Sequence, residues 1–127
     1  MTQRKKSKPP TRRTMSEMIS EMGAGFVGVG DTLGERQNRL NAACTAWNMA
    51  CGSPELRQQQ LRQYGESYLR FNPATSPTAL ANILKDMELL MEQKLKLFPD
   101  DKRQIVDARV MKVGSTFRIE VASATFQ

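Results

Sequence analysis

Histidine is missing from all 127 residues of the chain. Histidine is the general base of the Ser-His-Asp triad and one of the usual ligands of structural zinc. Its absence excludes Ser-His-Asp and Cys-His catalytic arrangements and histidine-ligated metal centres. A small enzyme that works through a lone carboxylate, lysine or tyrosine is the alternative, but no nucleophile or metal motif supports it. We therefore predict a protein that is not an enzyme, with no catalytic residue, no metal and no cofactor.

Cysteine is scarce, since the chain contains only Cys44 and Cys51. If both lie on one helix, about 10 Å of helix axis separates them, which is too far for a disulfide. A classical zinc site needs four Cys or His ligands, and this chain offers two. We interpret both thiols as small buried hydrophobic groups, and their free state is typical of a reducing compartment.

Long apolar runs are also missing, so the sequence predicts no membrane-spanning helix. The hydrophobic content of 39% and the charged content of 25% are those of a globular protein of one domain. The first residues are basic, but no apolar stretch follows them, which argues against a secretory signal. We expect a protein of the cytoplasm that has no membrane partner. A nuclear or nucleoid location is the alternative.

Acidic residues are missing from residues 1–13, while the rest of the chain has 13 acidic and 13 basic side chains. The whole net charge of +6 therefore lies in this first segment. Pro9 and Pro10 interrupt it, and it has nothing to bury, so we predict a disordered arm. We call residues 1–13 the basic arm. Its six basic side chains are Arg4, Lys5, Lys6, Lys8, Arg12 and Arg13.

The basic arm is predicted to contact nucleic acid. Basic segments neutralise backbone phosphates and release their counterions, which makes binding dependent on salt. The arm has no aromatic residue that could stack on a base, so we expect binding without sequence preference. One alternative is that the arm only keeps the protein soluble. Another is that it is a localisation signal, because KKSKP followed by RR is also compatible with nuclear import.

Residues 14–22 are predicted to form a short amphipathic helix. Thr14 and Glu17 have the spacing of a capping box at its start. A helix this short does not persist alone in water, so it must dock on something. Its apolar face could be an adaptable surface for a protein partner, or a flap that covers the domain's own core. That face consists of Met15, Met18, Ile19 and Met22.

A glycine-rich segment follows, and Gly23, Gly25 and Gly28 fit the G-x-G-x-x-G spacing of a dinucleotide-binding loop. Such a loop must follow a buried strand and open a helix in a βαβ unit. Here a polar, Met-rich helix precedes it and no parallel sheet is predicted. We therefore interpret the segment as a connector whose apolar side chains lie beneath the helices.

Residues 31–51 are predicted to form the central helix of the domain. Thr32 and Glu35 again have capping-box spacing, and Gly52 is a typical residue for a left-handed helix end. The apolar residues recur at helical intervals and predict one buried stripe. The stripe consists of Leu33, Leu40, Cys44, Trp47 and Cys51.

Two further helices are predicted at Pro54–Phe71 and at residues 77–98, each started by a Ser-Pro pair. In the first helix the predicted apolar face ends at Phe71. The second keeps a heptad-like stripe that fits either a homodimer seam or the core of a three-helix domain. The stripe consists of Leu80, Ile83, Leu84, Met87, Leu90, Met91 and Leu97.

The pattern then becomes alternating and predicts a β-hairpin at about residues 104–125, with its turn at Gly114-Ser115. The turn implies a register with an apolar row on one face and an Arg109–Glu120 pair on the other. An exposed edge of this hairpin could accept a strand from another chain. The pairs on the apolar face are Val110 with Ile119, Ala108 with Val121, and Val106 with Ser123.

These patterns together predict an α+β fold that is mainly α. It has a three-helix core, a short N-terminal helix and a C-terminal antiparallel β-hairpin, in a single domain of residues 14–127 that follows the arm. We predict a non-enzymatic accessory or adaptor protein that docks on a protein partner, or on copies of itself, and contacts nucleic acid through the basic arm. The alternative is a pure protein–protein module, such as an inhibitor, an antitoxin-like partner or an oligomerisation unit, whose arm serves solubility or localisation.

Overall fold

The structure is a computed structural model, and it describes residues 13–124. Within that range the fold is α+β and mainly α, as predicted, with four helices followed by a two-stranded antiparallel hairpin. The three long helices form the core, and the short helix precedes them. The elements are α1 (Met15–Met22), α2 (Leu33–Ala50), α3 (Pro54–Phe71), α4 (Pro77–Leu97), β1 (Gln104–Val113) and β2 (Thr116–Ala124).

The helices begin where the sequence predicts. Thr14 and Thr32 each accept a hydrogen bond from the backbone N–H three residues on and complete a capping box with a glutamate. Ser53 and Ser76 each accept a hydrogen bond from the backbone N–H three residues on, without a capping box, and a proline follows each of them at the first helical position. These local bonds satisfy N–H groups that the helices themselves leave unpaired.

Helix α2 is the centre of the fold, because it contacts α1, α3, α4 and β1. The predicted stripe is correct for Leu40, Cys44 and Trp47, which are buried. It is wrong for Leu33, which is 45% exposed, and it is too narrow in the second half of the helix. In that half, alanines on the other faces of the helix are also buried, and their small side chains let the surrounding elements approach closely. These alanines are Ala43, Ala46 and Ala50.

The end of α2 differs from the prediction. Cys51 caps the helix in a helical conformation, and Gly52 is not among the glycines with positive φ. The chain does not need a left-handed residue here because Ser53 starts α3 directly afterwards. Left-handed conformations lie instead in the glycine-rich connector, at Gly25 (φ 85°) and Gly28 (φ 84°).

Helix α3 contributes least to the core among the three long helices, and only Leu61 and Gly65 are buried along it. A Cβ built on Gly65 would lie 3.4 Å from the side chain of Leu84, so glycine permits the close approach of α3 to α4. The prediction that Phe71 belongs to the buried face is wrong, since this residue is 77% exposed. Phe71 is the last residue of α3 and lies beyond the part of the helix that packs on the core.

Helix α4 supplies most of its predicted stripe to the core of this chain. Met87, Leu90 and Met91 are buried, and Leu84 packs against the core from a half-buried position. The prediction is wrong for Leu97, which is 37% exposed because it lies at the end of the helix. No helix within residues 13–124 has both the length and the apolar character needed to cross a membrane.

The hairpin has the predicted turn and most of the predicted register. Val110 pairs with Ile119 and Arg109 with Glu120, and the apolar row faces the core. The predicted pair of Val106 with Ser123 is wrong, because a β-bulge between Ile105 and Asp107 leaves Val106 without a partner. Ile105 takes the position opposite Ser123 and is buried, while Val106 is 57% exposed.

Trp47 joins α2 to the segment between α4 and β1. Its side chain is completely buried, and its indole Nε1 donates a 2.8 Å hydrogen bond to the carbonyl oxygen of Arg103. The ring centroid lies 5.8 Å from that of Phe98, the C-cap of α4. Three elements therefore meet on this one side chain.

Replacing Trp47 tests this role. We expect Trp47→Ala to lower the free energy of unfolding by about 3–5 kcal/mol, because it removes a large buried ring. Trp47→Phe should cost less, about 1–3 kcal/mol, because it mainly removes the indole N–H that donates to the Arg103 carbonyl. The measurement is denaturant unfolding followed by far-UV circular dichroism. Phe71→Ala is the control, and an equal loss there would contradict the assignment.

Candidate functional site

The predicted nucleic-acid contacts Arg4, Lys5, Lys6, Lys8 and Arg12 lie outside the described residues, so this part of the prediction stays a prediction. The last residue of the basic arm is described. The Arg13 guanidinium forms an ion pair with Glu21 of α1 and lies 5.9 Å from the centroid of the Phe98 ring. The arm therefore joins the folded body beside the C-terminal end of α4.

The predicted partner-binding residues of α1 lie in the core. Ser16, on the same helix, accepts a 3.1 Å hydrogen bond from the N–H of Val121 and so fixes α1 against β2. In this arrangement a partner could reach the apolar face only if α1 moved away, and the proposed partner contact stays a prediction. The exposed fractions are 4% for Met15, 4% for Met18, 0% for Ile19 and 3% for Met22.

The outer edge of β1 is occupied by two side-chain amides of α2. Gln37 donates to the carbonyl of Ala108 (3.0 Å) and accepts from the N–H of Val110 (2.8 Å). Asn48 donates to the carbonyl of Ile105 (3.0 Å) and accepts from the N–H of the same residue (2.7 Å). Each amide imitates the peptide group of a neighbouring strand, and the predicted strand-accepting edge is therefore already paired along these residues of β1.

A buried lysine lies at the end of α4. Lys94 is 0% exposed, and its Nζ donates to the carbonyls of Phe98 (2.8 Å) and Asp101 (2.5 Å). The same Nζ lies 4.8 Å from the centroid of the Trp47 ring, within the range of a cation–π interaction. The ammonium thus receives its stabilisation from two backbone carbonyls and an indole. Its burial lowers the pKa of Lys94.

Both thiols have a raised pKa for the same physical reason. Burial raises the pKa of Cys44 to about 12. Burial also raises the pKa of Cys51, while the nearby charge of Lys94 acts in the opposite direction. The Sγ of Cys51 lies 3.8 Å from the carbonyls of Asp101 and Arg103. Cys51, Lys94 and Trp47 therefore all contact backbone carbonyls of the segment that leads from α4 into β1.

The glycine-rich connector lines a groove of about 480 Å³ against α4. The connector follows α1 rather than a strand, and within residues 13–124 the sheet is the antiparallel hairpin alone. The context of a dinucleotide-binding loop is therefore missing from this part of the chain. Phe26 and Val27 pack against the core, as predicted for a connector, whereas Val29 is exposed.

A second cleft lies between α3 and β1. Both elements pack on α2, but they do not contact each other. The cleft has two adjoining parts of about 410 Å³ and 220 Å³, which share Thr45 and Asn48 of α2 as their floor. Gln60 and Gln63 line the α3 side of the larger part. We call this space the α3–β1 cleft.

Gln60, one of the residues that line the larger part of this cleft, carries an unpaired acceptor that is buried within the protein. The Oε1 atom of Gln60 is buried and has no hydrogen-bond partner among the described residues. Leaving a polar atom in this state costs about 1–3 kcal/mol of stability, and native structures contain few of them. Sequence patterns did not indicate this site, because Gln60 is one of three consecutive glutamines on a polar helix.

The comparison with known proteins gives no relative. No protein-family model matches the chain, and no curated protein or solved structure is significantly similar to it. Within residues 13–124 no group of three or more cysteine, aspartate and glutamate side chains is placed to hold a metal ion. A function can therefore be inferred only from the chain's own residues.

The two thiols should differ in their reactivity. Near pH 8 we expect an aromatic disulfide reagent to modify Cys51 in the native protein, more slowly than an exposed thiol, because Cys51 is partly exposed and its pKa is raised by burial. Cys44 should react only on unfolding, since the thiolate is the reactive form and its pKa is about 12. Stopped-flow absorbance of the wild type and of Cys51→Ser measures this. Rapid native modification of Cys51→Ser would contradict the burial of Cys44.

Removing one amide from the β1 edge tests its pairing. Gln37→Leu leaves the carbonyl of Ala108 and the N–H of Val110 without partners, and we expect a loss of about 1–3 kcal/mol of stability. The amide hydrogen of Val110 should also exchange faster with solvent, which NMR measures directly. Gln59→Leu, at an exposed position of α3, should change neither quantity. Unchanged exchange at Val110 would show that Gln37 does not protect this edge.

Proposed function

We propose that the protein is a non-enzymatic accessory protein that docks on a protein partner and contacts nucleic acid, without sequence preference, through its basic arm. One observation carries the nucleic-acid part of the proposal. All of the net charge lies in residues 1–13, and the rest of the chain has equal numbers of acidic and basic side chains. A polyanion would therefore be attracted to one short segment rather than to the folded surface.

The charges of the hairpin support the same division. Arg109 lies 3.5 Å from Asp107, and Arg118 lies 3.7 Å from Glu120, so these exposed arginines have acidic neighbours on their own strands. A face with alternating charge attracts phosphate weakly. The basic arm has no acidic residue to compete in this way.

Two ionisable groups with shifted pKa values, Lys94 and Asp101, make structural contacts, and this supports a role without catalysis. Lys94 donates to backbone carbonyls, and Asp101 forms a 2.6 Å ion pair with Arg103. The hydrogen bonds from Arg103 lower the pKa of Asp101. These interactions stabilise the turn between α4 and β1. Such structural networks shift pKa values as active sites do, so the shifts alone do not indicate catalysis.

A pure protein–protein module is the second candidate. The exposed apolar side chains at the C-terminal end of α3 favour it, since Phe71 is 77% exposed and Leu69 is also exposed. Large exposed aromatic residues are enriched at protein interfaces. In this case the basic arm would serve solubility or localisation and would make no contact with nucleic acid.

Neutralising the basic arm in the full chain tests the proposal. The variant replaces Arg4, Lys5, Lys6, Lys8 and Arg12 by Gln and keeps Arg13. For the wild type we expect binding to unrelated labelled oligonucleotides with equal affinity. Its logarithmic salt slope should be about −3.5 to −4.5 if five phosphates are neutralised. The arm variant should lose this binding and keep its melting temperature. Fluorescence anisotropy at several salt concentrations measures the affinities.

A matched control separates the arm from net charge. It replaces five exposed basic residues of the folded body by Gln and so has the same net charge as the arm variant. We expect it to retain most of the wild-type affinity. An equal loss in both variants would contradict the role of the arm, and wild-type protein that binds no oligonucleotide would favour the protein–protein module. The five positions are Arg62, Arg70, Lys85, Lys102 and Lys112.

A further inference from the structure

The groove between the glycine-rich connector and α4 carries more acidic than basic charge. We call it the α1–α4 groove, because Met22 at the end of α1 also lines it. Its charged lining consists of Asp86 and Glu92, with Lys96 as the one basic residue among those described. Both carboxylates are exposed, and neither forms an ion pair within residues 13–124. An anion would be repelled here, whereas a basic segment would be attracted.

The wall that faces α4 adds to this negative charge. Residues 14–30, which form α1 and the connector, contain Glu17 and Glu21 but no lysine or arginine. This acidic stretch follows the basic arm directly in the chain. The two segments of opposite charge are therefore held close together by their covalent connection, which raises the effective concentration of one around the other.

The last residue of the arm already lies at one end of the groove. The Arg13 guanidinium forms an ion pair with Glu21 and lies 5.9 Å from the centroid of the Phe98 ring, within the range of a cation–π interaction. Glu21 precedes Met22, and Phe98 follows Lys96 by two residues, so the contacts of Arg13 adjoin both walls. One basic side chain of the arm thus bridges α1 and the end of α4.

The rest of the arm is long enough to continue along this path. Helix α1 has eight residues and is therefore about 12 Å long. Residues 1–12 can span up to about 40 Å when extended, which is enough to turn back along α1 and follow the groove. The groove also has an apolar part with Phe26 and Leu89, and Leu89 is 48% exposed. The methylene stems of lysine and arginine can cover such a surface.

We propose that the basic arm folds back into the α1–α4 groove, where its lysines pair with Asp86 and Glu92, and that nucleic acid must displace it from there. The contact is autoinhibitory, because a phosphate backbone and the groove compete for the same side chains. The competition rests on the proposed function, whereas the docking of the arm does not require nucleic acid. Lys96 opposes the docking, since it repels the arm from one end of the groove.

Zero-length cross-linking of the full-length protein tests the docking directly. A carbodiimide joins a lysine to a carboxylate only when the two groups touch, and mass spectrometry of the digested monomer locates the link. Without nucleic acid, we expect links from Lys5, Lys6 or Lys8 to Asp86 or Glu92. An excess of unlabelled oligonucleotide should suppress them. The exposed carboxylates Glu55 and Glu66 of α3 are the reference for random encounters.

Three results of the cross-linking would overturn the proposal. The first is that the arm lysines link to the α3 reference carboxylates as often as to the groove. The second is that links to the groove occur only in a cross-linked dimer, which would assign the groove to the arm of a second copy. The third is that the links persist when oligonucleotide saturates the protein, which would show that the groove and the nucleic acid do not compete.

Neutralising the groove should strengthen nucleic-acid binding. If the arm is docked in about two thirds of the molecules, the double variant Asp86→Asn/Glu92→Gln should bind oligonucleotide about threefold more tightly. Glu55→Gln/Glu66→Gln is the matched control, because it raises the net charge by the same amount at exposed positions of α3. The difference between the two variants should shrink as salt screens the docked pairs. Equal affinities at low salt would overturn the proposal.

A change of opposite sign gives a second comparison. Lys96→Gln removes the basic residue of the groove, so it should increase the arm cross-links and weaken oligonucleotide binding. Lys85→Gln lowers the net charge equally, at an exposed position of the same helix outside the groove lining. It should leave the cross-links unchanged. An equal yield of cross-links in both variants would contradict the assigned path of the arm.

The two probes separate this inference from the proposed function. Oligonucleotide binding that needs the arm, in a protein without cross-links to the groove, would support the proposed function and overturn the docking. Cross-links to the groove in a wild type that binds no oligonucleotide would support the docking. That second result would overturn both the competition and the nucleic-acid role of the arm.

Discussion

The buried ammonium group of Lys94 lies 4.8 Å from the centroid of the Trp47 ring, and much of the architecture depends on this contact. Lys94 donates to the carbonyls of Phe98 and Asp101, while the indole N–H donates to the carbonyl of Arg103. Burying a charge without such partners would cost several kcal/mol. The arrangement ends α4, fixes the following turn and sets the position from which β1 starts along α2. The position of the hairpin therefore depends on Trp47 of α2 and Lys94 of α4.

Side-chain amides stabilise the sheet, which has two strands within residues 13–124. A hairpin alone is marginally stable in water and exposes two edges. Here Gln37 and Asn48 pair with the outer edge of β1, and Ser16 of α1 binds β2. On α3, by contrast, the buried Oε1 of Gln60 lacks a partner within the described chain. Neutral hydrogen-bonding side chains thus bind the hairpin, while the net charge of the chain lies in the basic arm.

Local patterns were sufficient to predict the elements and their order. Capping residues such as Thr32 and Ser76 act within one helical turn, so their effect is visible in the sequence. Helical and alternating periodicities separated the helices from the hairpin, and the Gly114 turn gave the Arg109–Glu120 pair. The predicted bulge-free register failed at Val106, because Asn48 holds both backbone groups of Ile105 from a helix 57 residues away in sequence.

The chain by itself therefore determined the helices, the hairpin and the separation of charge, since each follows from neighbours in sequence. Only the tertiary structure decided which polar residues are special. Lys94 looks like a solvent-facing lysine and Gln60 like a member of a polar run until elements distant in sequence surround them. It also decided that the methionine face of α1 belongs to the core. Burial depends on what packs against a side chain, and that is a property of the assembled fold rather than of any local pattern.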